Sequence, residues 1–241
     1  MKFSNLITNF FIPPSCICCG EILDIRVKYC ICRACSEKLP LVKGRKCKIC
    51  GIPLSSEYGD LYCGNCKNNK RAFAQNVSRY IYTDIVAVAI RKMKFGSKQL
   101  WIADTLGWFL SQTVSEEYDD IKFDGVIYVP LSKKRYSLRS FNQSEEIAQA
   151  LCEKLGLKFL RDVLIKPQDT PKQSSMKFKE RANNVKGKFV VAKPELMIDK
   201  TILLIDDVFT SGETLNECSK IIKKAGATAV YTATIAIVKL D

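Results

Sequence analysis

Seven residues in the second half of the chain carry its densest chemistry: Asp206, Asp207, Thr210, Ser211, Gly212, Glu213 and Thr214. They directly follow the apolar run Ile202-Leu203-Leu204-Ile205. A buried strand of that kind delivers acidic side chains to its carboxyl end, where open α/β sheets receive ligands. The hydroxyl residues and the glycine then turn into a helix, whose first amides suit a phosphate monoester. Thr210, Ser211 and Thr214 add hydroxyl donors to that cradle, while Asp206 and Asp207 suit the vicinal hydroxyls of a ribose. One segment can thus grip both ends of a ribose 5-phosphate, and Asp206 and Asp207 are the pair expected at any reacting centre. The lysine of a G-x-x-x-x-G-K-[ST] loop is missing, so this is not a P-loop. The plainer alternative is a strand end followed by a helix cap. Glu213 brings negative charge near the phosphate unless the helix turns it outward.

A second concentration of chemistry precedes it. Ten of the twelve cysteines lie between Cys16 and Cys66, and eight of those form four C-x-x-C pairs. Cys16-x-x-Cys19-Gly20 returns as Cys47-x-x-Cys50-Gly51, and Cys32-x-x-Cys35 returns as Cys63-x-x-Cys66. Each half supplies four thiolates at the spacing of a tetrahedral Zn²⁺ ribbon. The glycine after each leading pair permits the tight turn in which amides point at thiolate sulfur. Consecutive pairing gives Cys16, Cys19, Cys32 and Cys35 to one ion and Cys47, Cys50, Cys63 and Cys66 to the other; a cross-braced arrangement would interleave them, with one or two sites filled. Such sites keep no open coordination position, so the expected role is structural. Redox-active C-x-x-C pairs would call for a surrounding βαβ unit, which this block lacks. Cys18 and Cys30 are left over as buried or incidental thiols. So short a block holds little core, and metal affinity should supply most of its folding free energy.

The elements that position these groups form a βα alternation beginning near residue 75, after the polar stretch Lys67-Asn68-Asn69-Lys70-Arg71. The pattern predicts residues 1–75 as an amino-terminal segment with the zinc-binding block, and 76–241 as a larger α/β domain. Strands are expected over 77–82, 125–129, 159–165, 201–205 and 229–238, with helices over 84–94, 98–114, 142–155 and 213–225. Buried strands alternating with helices imply a parallel sheet covered on both faces. Residues 166–186 are lysine-rich, polar and hold two prolines; a stretch of that length is either a functional loop or a linker. Residues 1–12 read as a short helix packed through Leu6, Ile7, Phe10 and Phe11, and not as a signal peptide.

Hydrophobic content of 47% supports a packed core. No apolar run approaches the ~20 residues that cross a bilayer. Closely spaced cysteine pairs indicate metal ligation in a reducing compartment, so a cytoplasmic location is expected. The formal charge is +13; each Cys₄–Zn²⁺ site adds a net −2, so two filled sites leave about +9. That balance attracts polyanions, nucleic acid and polyphosphate alike. Lys43, Arg45, Lys46 and Lys48 form a basic cluster that reads as solvated or as a nucleic-acid contact. The chain has no histidine, which removes imidazole as a general base or zinc ligand.

The segment 201–214 resembles the phosphoribosyl diphosphate signature of type I phosphoribosyltransferases. Together with the cysteine block, the whole chain resembles the ComF family of bacterial competence-associated proteins. Val129-Pro130-Leu131, Arg139 and Phe141-Asn142-Gln143 are similar to that family's proline-leucine, arginine and Phe-Asn-Gln pattern. Gln173, Arg181 and Asn184-Val185 are similar to its Gln-x₇-Arg-x-x-Asn-Val stretch, and residues 90–96 to its Leu-Lys-Tyr-x-Gly element. Ser140 departs from the pattern, standing where the family usually has glycine.

The resemblance implies a type I phosphoribosyltransferase-like parallel sheet with helices on both faces, behind a double zinc ribbon. It implies 5-phosphoribosyl 1-diphosphate or a related ribose phosphate as ligand, with Mg²⁺ bridging ribose and pyrophosphate oxygens. Lys133, Lys134 and Arg135, helped by Arg139, are candidates for the pyrophosphate side, or else a solvated turn. Lys177, Lys179 and Arg181 are candidates for a lid that closes over ligand, or else belong to a linker. A role in competence and DNA uptake follows, with single-stranded DNA and DNA-uptake proteins as partners. Three functions compete: a phosphoribosyltransferase of unnamed acceptor, a single-stranded-DNA-handling protein, and a regulator that senses phosphoribosyl diphosphate.

Overall fold

The structure is a computed structural model that describes residues 13–54, 59, 61–95, 99–132, 136–137, 141–167 and 188–239. The expected helix at 1–12 lies outside them. Among the described residues the strands are β1 (Asn76–Ile81), β2 (Gly125–Tyr128), β3 (Leu164–Ile165), β4 (Val190–Val191), β5 (Thr201–Phe209) and β6 (Ala229–Ile237). The helices are α1 (Arg33–Lys38), α2 (Gly64–Asn68), α3 (Asp84–Phe95), α4 (Gln99–Glu117), α5 (Gln143–Leu155) and α6 (Glu213–Lys224). The main sheet is parallel throughout, in the order β1-β6-β5-β2, and β3 pairs antiparallel with β4 beside it.

Ile202, Leu203, Leu204 and Ile205 of β5 are fully buried. A central parallel strand is covered on both faces, which explains the unbroken apolar run. Leu203 and Ile205 join Val126, Val77 and Ala233 in a cluster with Ile90 and Met93 of α3, Leu106 and Leu110 of α4, and Ile147 and Leu151 of α5. Ile202 and Leu204 face the opposite way and join Ile127 and Val230 in a cluster with Leu215, Cys218 and Ile222 of α6. Helices thus cover both faces, as the pattern predicted. Asn142 caps α5 by accepting from the Ser144 amide at 3.1 Å, and Gly156 ends it at φ 67°.

Two elements depart from expectation. β5 does not stop at Ile205, because β6 continues beside it and opposes Asp206 with Thr234, Val208 with Ala236 and Phe209 with Ile237. The strand expected over 159–165 is divided. Phe159 makes a single parallel bridge to Val126, Asp162 turns the chain in a left-handed conformation (φ 57°), and Leu164–Ile165 leaves to pair with β4.

The hydrophobic clusters run across the boundary expected near residue 75. Cys16, Ile17, Cys18, Cys30 and Cys35 of the first ribbon belong to the cluster on the α3–α5 face. Cys47, Cys50, Ile52 and Cys66 of the second ribbon belong to the cluster on the α6 face. The segment joining the ribbons lies along the outer edge of β1, where the Ile81 amide donates to the Pro40 carbonyl at 2.8 Å and the Val42 amide donates to the Arg79 carbonyl at 3.0 Å. The two ribbons therefore straddle the sheet edge, one on each face, and cover backbone groups that an open edge strand would leave unpaired.

Candidate metal centres and phosphate-ribose site

The two ribbons repeat one another bond for bond. The Gly20 amide donates to the Cys16 carbonyl and the Gly51 amide to the Cys47 carbonyl, with both glycines at positive φ (84° and 74°). The second pair of each half starts a short helix: Cys32 and Cys63 are the N-caps, and Cys35 and Cys66 lie in the first turn. In each set of four, every sulfur lies within 4.8 Å of the others: Cys16, Cys19, Cys32 and Cys35 in one, Cys47, Cys50, Cys63 and Cys66 in the other. Pairing is thus consecutive rather than cross-braced.

Two sulfur separations test the fit to zinc. Cys19 and Cys32 are 3.8 Å apart, and Cys50 and Cys63 are 3.6 Å apart. A tetrahedron with Zn–S bonds of ~2.3 Å has edges of about 3.8 Å. The geometry therefore fits two structural Zn²⁺ ions. Burial opposes ionisation of Cys16, but the amides of Cys32, Cys19 and Cys18 outweigh it and hold the thiol at about 6. Cys18 and Cys30 stand outside both sets and are buried.

The corner expected to take phosphate and ribose lies at the carboxyl end of β5. Asp206 is held in place by Ser144 Oγ, which donates to its Oδ1 at 2.8 Å, and by the Asp207 amide, which donates to the same oxygen at 2.9 Å. Ser144 lies in the first turn of α5 beyond its Asn142 cap, so one helix start fixes the acid that another strand presents. After Phe209 the chain turns through Thr210 and Ser211 into Gly212, the N-cap of α6, at φ 75°. A side chain on Gly212 would meet the Phe209 ring at 2.4 Å. Glycine is thus required twice, for the left-handed backbone and for the close ring. Thr210 is exposed, Ser211 is buried, and Thr214 is half-buried on the first turn of α6. The Glu213 amide donates to Ser211 Oγ at 3.5 Å, and the amides that open a helix make an anion-receptive end beside Asp206 and Asp207.

Glu213 does not face this cradle. Its Oε1 pairs with Arg71 Nη1 at 2.6 Å, while Arg71 Nη2 donates to the Ser211 carbonyl at 2.9 Å. Of the two placements open to Glu213, toward the phosphate or turned outward, the structure shows its carboxylate turned onto an arginine that follows the second ribbon. Arg71 sat unremarked in a polar stretch, since no local pattern marks a contact spanning 142 residues. Ser144 also escaped notice, although a serine just inside a helix that follows a strand is a recognisable donor.

Lys166, the first residue of the unassigned stretch, is buried; it bridges to Ser132 and lies over the Phe189 ring at 5.1 Å. The candidates for the pyrophosphate side, Lys133, Lys134, Arg135 and Arg139, lie outside the described residues, as do the lid candidates Lys177, Lys179 and Arg181 and the departure at Ser140.

Residues 7–67 match the double zinc ribbon domain, and residues 139–239 match the phosphoribosyl transferase domain. Competence protein F of Haemophilus influenzae is 31% identical over 223 residues, which cover 90% of this chain and 94% of that protein. The chain belongs to the ComF family. Other members of similar layout are competence protein ComFC of Bacillus subtilis, 28% identical over 215 residues (85% of this chain, 83% of that one), and DNA utilization protein YhgH of Escherichia coli K12, 27% identical over 203 residues (83% and 87%). Among solved structures, glutamine phosphoribosylpyrophosphate amidotransferase from B. subtilis is similar at 19% identity over 59% of this chain and 30% of that one, with a TM-score of 0.41. This ComF-family chain has the type I phosphoribosyltransferase-like fold, a parallel sheet with helices on both faces, behind a double zinc ribbon.

Proposed function

We propose that the carboxyl end of β5 binds 5-phosphoribosyl 1-diphosphate, or a related ribose phosphate, in the service of competence and DNA uptake. The observation that carries this reading is the adjacency of the acid pair Asp206-Asp207, its first carboxylate anchored by Ser144, to a glycine turn that opens a twelve-residue helix. The turn and the first amides of α6, with Thr210, Ser211 and Thr214, take the 5-phosphate; the carboxylates take the ribose diol. The competence role rests on the names of the relatives.

Asp206 and Asp207 are hard oxygen donors, and among the described residues no third acidic or thiol ligand joins them in a group. Mg²⁺ is commonly held by one or two carboxylates with phosphates completing the shell, and the pair fits an ion that arrives with its ligand. Bound there, Mg²⁺ would neutralise charge gathering on pyrophosphate oxygens. If transfer occurs, a nucleophile displaces pyrophosphate at the anomeric carbon, and Asp206 and Asp207 act by holding the ribose hydroxyls in register. Lys133, Lys134, Arg135 and Arg139 are proposed for the pyrophosphate, and Lys177, Lys179 and Arg181 for a lid.

The second reading, handling of single-stranded DNA, is favoured by the formal charge of +13 and by the names of the DNA utilization relatives. Both readings suit a cytoplasmic protein, where thiolates stay reduced for zinc; no helix among the described residues is long and apolar enough to cross a membrane. Calorimetry with Mg²⁺ and phosphoribosyl diphosphate tests the first: Asp206→Asn with Asp207→Asn should abolish binding in a folded protein. Unchanged affinity in that double variant would refute the pocket. Pyrophosphate release against a nucleobase panel then separates a transferase from a sensor, and a salt-titrated single-strand binding assay separates DNA handling from both.

A further inference from the structure

Arg71 belongs to neither of the motifs that define the protein, yet it joins them. It follows α2, which carries zinc ligand Cys66, and its side chain is 2% exposed. Nη1 pairs with Glu213, Nη2 donates to the Ser211 carbonyl, and the next amide, that of Ala72, donates to Asn216 Oδ1 at 2.8 Å on the same helix. Phe73 completes the seam by meeting Phe209 edge-on, with ring centroids 6.2 Å apart. Three consecutive residues from the ribbon thus hold both ends of the phosphate turn and the first turns of α6. The ribbon is fixed in its place by Asn76, which is fully buried and donates from Nδ2 to the Cys50 carbonyl at 3.0 Å.

We propose that Arg71 is a positioning residue that couples the second Cys₄ site to the phosphate-ribose pocket, so that zinc occupancy and ligand binding favour one another. The fork of a guanidinium makes this connection possible, because one planar group reaches a carboxylate and a carbonyl on either side of Gly212 at once. It neutralises Glu213, whose charge would otherwise repel an incoming phosphate. It also occupies the Ser211 carbonyl oxygen with a hydrogen bond. Among the described residues the first ribbon has no such link to the turn, and its buried cysteines belong to the cluster on the other face of the sheet. Coupling of this kind is reciprocal: whatever factor zinc adds to ligand affinity, ligand adds to zinc affinity.

This inference rests on the pocket reading above, and the test keeps the two apart. Full-length, zinc-loaded protein is titrated with Mg²⁺ and phosphoribosyl diphosphate, and then equilibrated with a chelator buffer while alkylation of each cysteine is followed by mass spectrometry. In wild-type protein, ligand should protect Cys47, Cys50, Cys63 and Cys66 from alkylation and leave Cys16, Cys19, Cys32 and Cys35 unaffected. Arg71→Met should weaken ligand binding tenfold or more and abolish that selective protection. Arg71→Lys, which keeps the charge but not the fork, should fall between, and it serves as the reading if Arg71→Met does not fold. Wild-type protein that binds no ligand would remove the pocket and this proposal together. Wild-type protein that binds, with both Arg71 variants binding equally well or with both cysteine sets protected alike, would overturn the coupling alone.

Discussion

Replacement of Gly212 by alanine tests the phosphate turn through two separable effects. The first is the backbone: at φ 75° an alanine pays the left-handed penalty, about 1–2 kcal/mol. The second is the new methyl, which would lie 2.4, 2.9 and 3.1 Å from three atoms of the Phe209 ring. That ring is 4% exposed and is held edge-on by Phe73, so it has little room to retreat. Overpacking of this kind costs about 1–3 kcal/mol. Together the effects come to about 2–5 kcal/mol, a urea midpoint shift of roughly 1–2 M at an unchanged slope. In a Phe209→Leu background the three contacting ring atoms are gone. The Gly212→Ala increment should then shrink to the backbone part, giving a coupling of about 1–3 kcal/mol between the two positions. Equilibrium urea unfolding of the four proteins of this cycle measures it directly. Equal increments in both backgrounds would show that the ring does not press on the turn, and the geometric account of this corner would be wrong.

Three further outcomes are expected. Ser144→Ala removes the charge-assisted hydrogen bond to Asp206, of order 1.5–3 kcal/mol, and should raise the dissociation constant for phosphoribosyl diphosphate about tenfold or more; an unchanged constant would mean that Asp206 needs no such anchor. A strong chelator should lower the thermal midpoint of the protein in a single transition, because each ribbon shares a hydrophobic cluster with the sheet; two well-separated transitions would refute that. Burial pushes the Cys152 thiol up to about 12, leaving on the order of one molecule in 10⁴ as thiolate at pH 8. Iodoacetamide should therefore spare Cys152 until denaturant is added, and rapid labelling of the native protein would contradict its burial.

Much of this architecture was legible in the residues because it obeys local rules. The cysteine spacing, the glycines behind Cys19 and Cys50, and the helix that ends at Leu155 are each decided within a few positions, and each stands in the structure as the pattern implies. The limits of β5 were not legible in that way. An aspartate pair reads as the end of an apolar strand, whereas the strand continues because β6 runs on beside it, opposing Asp206, Val208 and Phe209. The break at Asp162 was hidden for the opposite reason: apolar residues flank Arg161-Asp162 on both sides, and Asp162, in a left-handed conformation, redirects the chain between them. The placement of Glu213 and Arg71 depends on a contact across most of the chain, which composition and period do not encode. The same holds for the two ribbons. Their repeat predicts a separate module, but which face of a sheet each one covers is a tertiary matter.

The strand order has a consequence for how the protein is made. β1, with the ribbons attached, finds its parallel partner in β6, which is translated after every other strand of the sheet. While synthesis proceeds, the half that carries the ribbons and the half that carries β5 share no ladder of sheet hydrogen bonds. Each waits with one strand edge open, and closure is a long-range event of the slow, aggregation-exposed kind. A ribosome that stalls before residue 229 would release a chain able to take up zinc but unable to shape the corner where β5 ends.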